Sequence, residues 1–512
     1  MESQFLSSSS NWPIISMTTL IFLVLIWKKF RTKTPNPKLP PGPWKLPIIG
    51  SMHHLIGCLP HEKLRDLAIK HGPIMHIQLG ELTNIIISSP KIAKEVLKDH
   101  DVIFAERPLM LSAKTISYDF KDISFAPYGD YWRQLRKITT MELLNAKRVR
   151  SFRSIREDET SKLVRLISSS SNEASGSAIN FSSLINSSIY CMTSRAAFGK
   201  IWEGENVFLT CLETLITEFG RGISIADAYP SIKWLQMFSR IRARVDKLHH
   251  QIDQIFQNIL DEHRSAKKGQ QGDQLDLVDV LLNLQEKGDL EFPLTDETIK
   301  AVIMDIFIAG VDTSSTTIEW MMAELMKNPR VMEKTQEEIR KICDAKGRVD
   351  EADLQEFNYL KLVVKEDLRL HPPAPLMVPR ECRESCVIDG YDIPVKSKIM
   401  VNLWAMGRDN RYWDEPEEFK PERFQGSSVD YKGNNFEYIP FGAGRRICPG
   451  MAFGIANVEL PLAKLLYHFD WKLIDGLKPE NLDMTEVIGS SSKRKSDLCI
   501  IPIPYLPPTS TN

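Results

Sequence analysis

Residues 441–450 read Phe-Gly-Ala-Gly-Arg-Arg-Ile-Cys-Pro-Gly, and no other stretch restricts the chain as much. Gly442 and Gly444 permit a tight loop, because glycine lacks the Cβ that closes off unusual backbone angles. Gly450 lets the backbone approach something flat. Arg445 and Arg446 supply positive charge that lowers a thiol pKa or binds carboxylates. Pro449 suits the first turn of a following helix, where its missing N–H goes unused. Cys448, just ahead of that turn, meets a positive helix end and exposed amides. This is a setting for a thiolate.

The surrounding chain has 512 residues, 43% hydrophobic and 26% charged, which suits a globular body with a large core. Lys and Arg total 65 against 66 Asp and Glu, a net charge of −1 that gives no support to bulk nucleic-acid binding. Eight cysteines are spread too thinly for a disulfide framework. Cys382 and Cys386 form a close pair with no second pair or nearby histidines to complete a zinc site, and read as structural. The bulk of the chain is expected to face a reducing compartment.

Trp12 to Trp27 carries no charge and is followed at once by Lys28, Lys29, Arg31 and Lys33. A cleaved signal would show a basic leading region and a small-residue cleavage site, so this segment reads as retained. Residues 1–29 are expected to be a membrane anchor, spanning at about 12–27, with the basic cluster cytoplasmic. Residues 30–50 form a basic, proline-rich hinge, stiff because prolines fix their own φ and restrict their neighbours.

Residues 51–512 read as one large, mainly α domain with small β-sheets. Helical periodicity runs through 89–99, 141–170, 206–219, 240–265, 275–287, 296–327, 329–344 and 357–370. Strand-like runs are short, at 74–78, 83–88, 387–389 and 398–402. Ser168–Ser177 and Ala266–Gln274 are polar and read as loops.

The helix at 296–327 has Thr295 as its expected N-cap, with Asp296 and Glu297 in its first turn. Its apolar middle is interrupted by Ala309-Gly-Val-Asp-Thr313. The Thr313 hydroxyl can return to the Ala309 carbonyl, bending or opening the helix for a small molecule.

The pattern Phe441-x-x-Gly444-x-Arg446-x-Cys448-x-Gly450 resembles the haem-binding signature of cytochrome P450 enzymes, and further motifs of that family follow in order across nearly the whole chain. The resemblance implies a P450 fold holding haem b, with Cys448 as the axial thiolate that favours O–O cleavage. It implies Asp312 and Thr313 as the acid and alcohol that relay protons to dioxygen. Glu366 and Arg369, three apart on one helix, would join Arg423 in a structural triad beneath the haem. Trp132, Arg136, Arg380 and Arg446 are the implied partners of the haem propionates, although Arg380 could instead pair with Glu381.

No dinucleotide fold or flavin domain is legible, so electrons would come from a separate NADPH–cytochrome P450 reductase. It would dock around Arg133, Lys137, Arg445 and Arg446. The style of the hinge and of Ala309–Ser315 is similar to plant enzymes of specialised metabolism, of the 71-clan type. Leu111, Ile116, Ala309, Leu376 and Met377 are the implied apolar pocket. The expectation is a single-pass enzyme of the endoplasmic reticulum membrane that oxidises a small apolar molecule, a sesquiterpene or diterpene foremost. Oxidation of an alkaloid or phenolic, haem–thiolate isomerase or dehydratase chemistry, and a haem sensor or carrier remain as alternatives.

Overall fold

The computed structural model describes residues 16–19, 37–173, 177–201, 208, 210–211, 214–215, 217, 224–237, 240–266, 275–487, 489 and 491–507. The expected anchor falls outside these residues except for one helical turn at 16–19, and so does much of the expected helix at 206–219.

Ten helices of nine or more residues occur among the described residues: α1 Pro60–His71, α2 Asp130–Ile138, α3 Arg153–Glu173, α4 Phe181–Phe198, α5 Arg240–Ala266, α6 Leu277–Lys287, α7 Asp296–Lys327, α8 Pro329–Cys343, α9 Asn358–Leu370 and α10 Met451–His468. Around them lie small sheets. One is four-stranded: β1 Ile74–Leu79, β2 Leu82–Ile87, β7 Lys398–Val401 and β4 Arg380–Glu381, in that order. Its β1–β2 pair is antiparallel with Ile74 opposite Ile87, and β2–β7 is parallel with Asn84 opposite Lys398. β3 Ile179–Asn180 and β8 Phe469–Leu473 flank β11 Cys499–Pro504. Two two-stranded pairs complete the set, β5 Cys386–Ile388 with β6 Tyr391–Ile393, and β9 Glu486–Val487 with β10 Lys493–Arg494.

The core forms where α7 packs against α4 and α10. Phe307, Trp320, Met321 and Leu325 of α7 are all inaccessible to solvent. By length and hydropathy α7 alone among the described helices could cross a membrane, but it is mostly buried inside the protein. Its first turn is capped as expected, with the Thr295 side chain accepting from the Thr298 amide.

Three local expectations need correction. The segment 141–170 is not one helix: a π-turn at Thr139–Leu143 and a short helix at Ala146–Ser151 precede α3, and Asn145 caps that short helix by accepting from Arg148 N. Ser168–Ser170 lie inside α3 rather than in a loop. Their hydroxyls return to the carbonyls of Val164 and Leu166, so the helix carries them without a stranded donor. Pro449 is not in the first turn of α10, which starts at Met451 with Gly450 as its N-cap.

Candidate active site

The loop 441–450 is closed on itself. The Cys448 amide donates to Phe441 O at 2.9 Å, Gly442 N to Ile439 O at 2.8 Å, and Ile447 N to Gly444 O at 3.1 Å. Gly444 has φ +69°, and a Cβ there would sit 1.8 Å from the Leu97 carbonyl oxygen, so only glycine fits. Gly450 is different. A Cβ on it would lie 3.9 Å from both Cys448 Sγ and Leu144 Cδ1, in open contact range with no backbone pressing on it.

Cys448 is half-buried. Burial pushes the thiol pKa up, opposed by the Gly450 amide and by Arg136. The two adjacent arginines go to different places. Arg445 turns outward to Asp101 at 3.0 Å. Arg446 is buried and donates from each guanidinium nitrogen to a main-chain carbonyl: Nε to Ala105 at 3.0 Å, Nη1 to Ile123 at 3.1 Å and Nη2 to Ala126 at 2.6 Å. The charge that favours a thiolate comes from α2, three hundred residues away in sequence.

Beside the loop the protein gathers an excess of buried positive charge. Arg107, Arg380 and Arg446 each have a pKa brought down to about 9, first by burial and then by another arginine of the group. Arg107 also donates to main-chain oxygens, those of Ser124, Val378 and Pro379. Arg380 donates from Nη2 to Ala443 O at 3.0 Å, while its buried Nε and Nη1 find no acceptor; Glu381 pairs with Lys396 instead. Trp132 gives its indole N–H to Ile123 O at 3.0 Å and stacks under the Arg446 guanidinium at 4.2 Å. Two unspent donors on Arg380, with Arg136 beside the thiol, fit a flat group bearing carboxylates and a metal bound by sulfur. The free face of Gly450 fits it too.

On α7 the Thr313 hydroxyl donates to Ala309 O at 2.7 Å, as its spacing predicts. The helix is nonetheless continuous from Asp296 to Lys327, so the expected opening is not a break in the helix. What marks the site is exposure: Ala309 is exposed and Thr313 half-buried within a helix otherwise mostly sealed. Asp312 is buried and lies 2.6 Å from Lys493 Nζ.

Residues 40–499 match the cytochrome P450 family. The chain belongs to that family. It is 64% identical to cytochrome P450 71D445 of Euphorbia lathyris over the whole of both chains. It is 50% identical to premnaspirodiene oxygenase of Hyoscyamus muticus, over 98% of this chain and 99% of that one. Among solved structures, a zebra fish cytochrome P450 with progesterone superposes with a TM-score of 0.73 at 23% identity, covering 88% of this chain and 100% of the other, and shows the shared fold. As a cytochrome P450 the protein is a monooxygenase whose haem is held by a cysteine thiolate.

In this P450 the Glu366–Arg369 pair of α9 meets the sequence-distant Arg423. Arg369 binds Glu366 with two bonds of 2.9 and 2.8 Å, and Arg423 Nε reaches Glu366 Oε1 at 2.9 Å. Both arginines also hold carbonyls of the segment 414–418, which fixes the loop leading to residue 441. Leu111, Ile116, Leu376 and Met377 are all half-buried. Leu376 packs against a cluster that includes Leu64, Met75 and Ile77, whereas the Met377 side chain ends beside Gly442. Sequence reasoning did not find Arg107, Asp305 or Lys493. Arg107 stands in an unremarkable Glu-Arg-Pro run, and Lys493 lies 181 residues from its acid.

Proposed function

We propose that this P450 inserts oxygen into an apolar small molecule, most closely a plant terpenoid, with Cys448 as the ligand of its haem. The observation that carries the reading is the half-buried Cys448 thiol in its closed loop, with Arg380 bonded into the same loop at Ala443 and keeping unspent donors. A thiolate-bound haem supplies the activation of dioxygen. The protein's own residues do the rest. Arg136 and Arg380 hold the carboxylates, with Trp132 and Arg446 bracing the wall from which they reach. Phe441 and Gly444 close the cysteine loop, and Gly450 leaves room beside the sulfur. The buried Glu366–Arg369–Arg423 cluster fixes that loop's approach.

Asp312 and Thr313 serve as the proton relay: the acid takes a proton and hands it through the alcohol toward the cavity. Leu111, Ile116, Ala309, Leu376 and Met377 offer apolar surface, so a substrate is held by packing and its oxidised carbon is set by shape. A relative named for oxidising premnaspirodiene, a diene by its name, supports a hydrocarbon-like terpenoid.

The domain plan that goes with this reading is an anchor at 1–29, a hinge at 30–50 and the catalytic body at 51–512, held on the cytosolic face of the endoplasmic reticulum. Exposed Ile48 and Ile225, 65% and 69% accessible, lie on segments joined by a bond from Tyr229 Oη to Ile48 O, as a lipid-facing flank would. Electrons come from an NADPH-dependent reductase docking near Arg133, Lys137 and Arg445. Arg446, being buried, is removed from that surface.

The test is co-expression with the reductase and a panel of terpene, alkaloid and phenolic scaffolds, with products read by mass. Oxidation of a terpenoid supports the reading. Turnover of alkaloids or phenolics alone overturns the substrate class and leaves haem ligation untouched.

A further inference from the structure

One face of α7 carries Asp312, Thr316, Glu319 and Trp320, at positions i, i+4, i+7 and i+8. The β9–β10 hairpin meets every one of them. Lys493 Nζ lies 2.6 Å from Asp312 Oδ1, and Ser491 Oγ lies 3.3 Å from Thr316 Oγ1. Arg494 Nε approaches Glu319 at 3.8 Å, and Trp320 Nε1 donates to Ser492 O at 2.7 Å. The hairpin is also fixed from behind. Glu486 is 2.8 Å from His61 Nε2 and accepts from Ser492 Oγ, and Ser492 N donates to Pro373 O at 3.0 Å. Lys493 therefore springs from a platform held on two sides.

Its partner is enclosed. The Asp312 side chain is 5% accessible against 38% for Lys493, so the ammonium is the more open end of the pair. Removing the cation from a carboxylate this enclosed would leave a buried charge without its partner. The next residue, Thr313, bonds back to Ala309 on the half-open face of the same helix.

We propose that Lys493 is a positioning residue for Asp312, and the outer end of its proton path. This rests on reading Asp312 and Thr313 as the relay. Lys493 holds the carboxylate at the hairpin side of α7. There a proton passes from the ammonium to the carboxylate: an N–H bond breaks, an O–H bond forms, and the amine is reprotonated by solvent. Adjacent helix residues point to different sides, so a water takes the proton from Asp312 and gives one to the Thr313 oxygen, as the threonine's own proton leaves toward the cavity. No electrons move in these steps.

The full-length holoenzyme with its reductase provides the test, using Lys493→Met, Lys493→Arg, Asp312→Asn and the double variant Lys493→Met/Asp312→Asn. Peroxide released per NADPH and the solvent deuterium isotope effect on NADPH oxidation are read with and without premnaspirodiene as the probe hydrocarbon. Lys493→Met should keep its haem and raise peroxide per NADPH by about twofold or more, with a changed isotope effect. Lys493→Arg should restore both. The double variant should be no worse than Asp312→Asn alone, since both act on one path. Normal behaviour of Lys493→Met beside an impaired Asp312→Asn overturns the role of Lys493 and spares the relay. Normal behaviour of Asp312→Asn overturns both. Loss of haem in Lys493→Met and Lys493→Arg alike makes the lysine a folding residue and overturns the proposal.

Discussion

Asp305 on α7 and the buried Asp122 in the loop before α2 are electrostatic neighbours that hold one short segment of main chain between them. Asp305 Oδ2 accepts the amides of Ile123 at 2.8 Å and Ser124 at 3.0 Å, and Asp122 accepts from Phe125 N. Burial raises both pKa values, and for Asp122 the neighbouring Asp305 raises it further. The loop facing the cavity is thus tied to the long helix by two acids that resist carrying two charges.

Asp305→Asn keeps an oxygen for both amides and turns an N–H toward Asp122. A carboxyl raised in the folded state favours folding while protonated, and that advantage is lost as pH climbs from the ordinary value of about 3.9 through the folded one. The variant should therefore melt about 1–3 °C above wild type near pH 7.5, with the gap closing toward pH 4. Thermal melts across that range check it; a gap independent of pH refutes the pairing.

Cys448→Ala should yield protein with little stable haem and no activity. The check is the reduced carbon-monoxide difference spectrum, whose red-shifted thiolate band should vanish. Its persistence would remove the basis for the ligand assignment.

Thr313→Ala should leave haem content intact while product per NADPH falls roughly tenfold and peroxide rises. Unchanged coupling would mean that the Thr313–Ala309 bond serves only the helix.

Glu366→Ala strands Arg369, which is 1% accessible. Removing one partner of such a pair costs about 3–5 kcal/mol, enough to prevent accumulation of haem-loaded protein. Expression followed by haem quantitation checks this; normal loading would show that carbonyl contacts alone hold Arg369.

Much of this site is written in contiguous residues, which is why it is legible in the sequence. The 441–450 loop, the Thr313–Ala309 bond and the Glu366–Arg369 spacing are local, and local geometry follows from spacing. α4 was not legible because Phe181–Phe198 is buried on most sides and rich in serine, so no amphipathic stripe shows. α1 and α2 lie outside the periodic segments of the sequence, and the pairs Asp305–Ile123 and Lys493–Asp312 join segments 181 or more residues apart. Such contacts exist only once the chain has folded. The thiol's electrostatics follow the same rule: Arg445 and Arg446 are its neighbours in sequence, but Arg136 of α2 acts to lower its pKa from far along the chain.

The arginine shell has a consequence for how such a protein can change. Arg107 and Arg446 are held by the carbonyls of residues 105, 123, 124, 126, 378 and 379, and Arg380 by that of residue 443. Every amino acid carries that oxygen, so the wall of the site makes almost no demand on side-chain identity at those positions. Where packing allows a change, as at exposed Val378, the side chain can vary under selection for new substrates while the guanidinium groups stay where they are. Diversification of the pocket and preservation of the cofactor seat are in this way separated within the same few ångströms of chain.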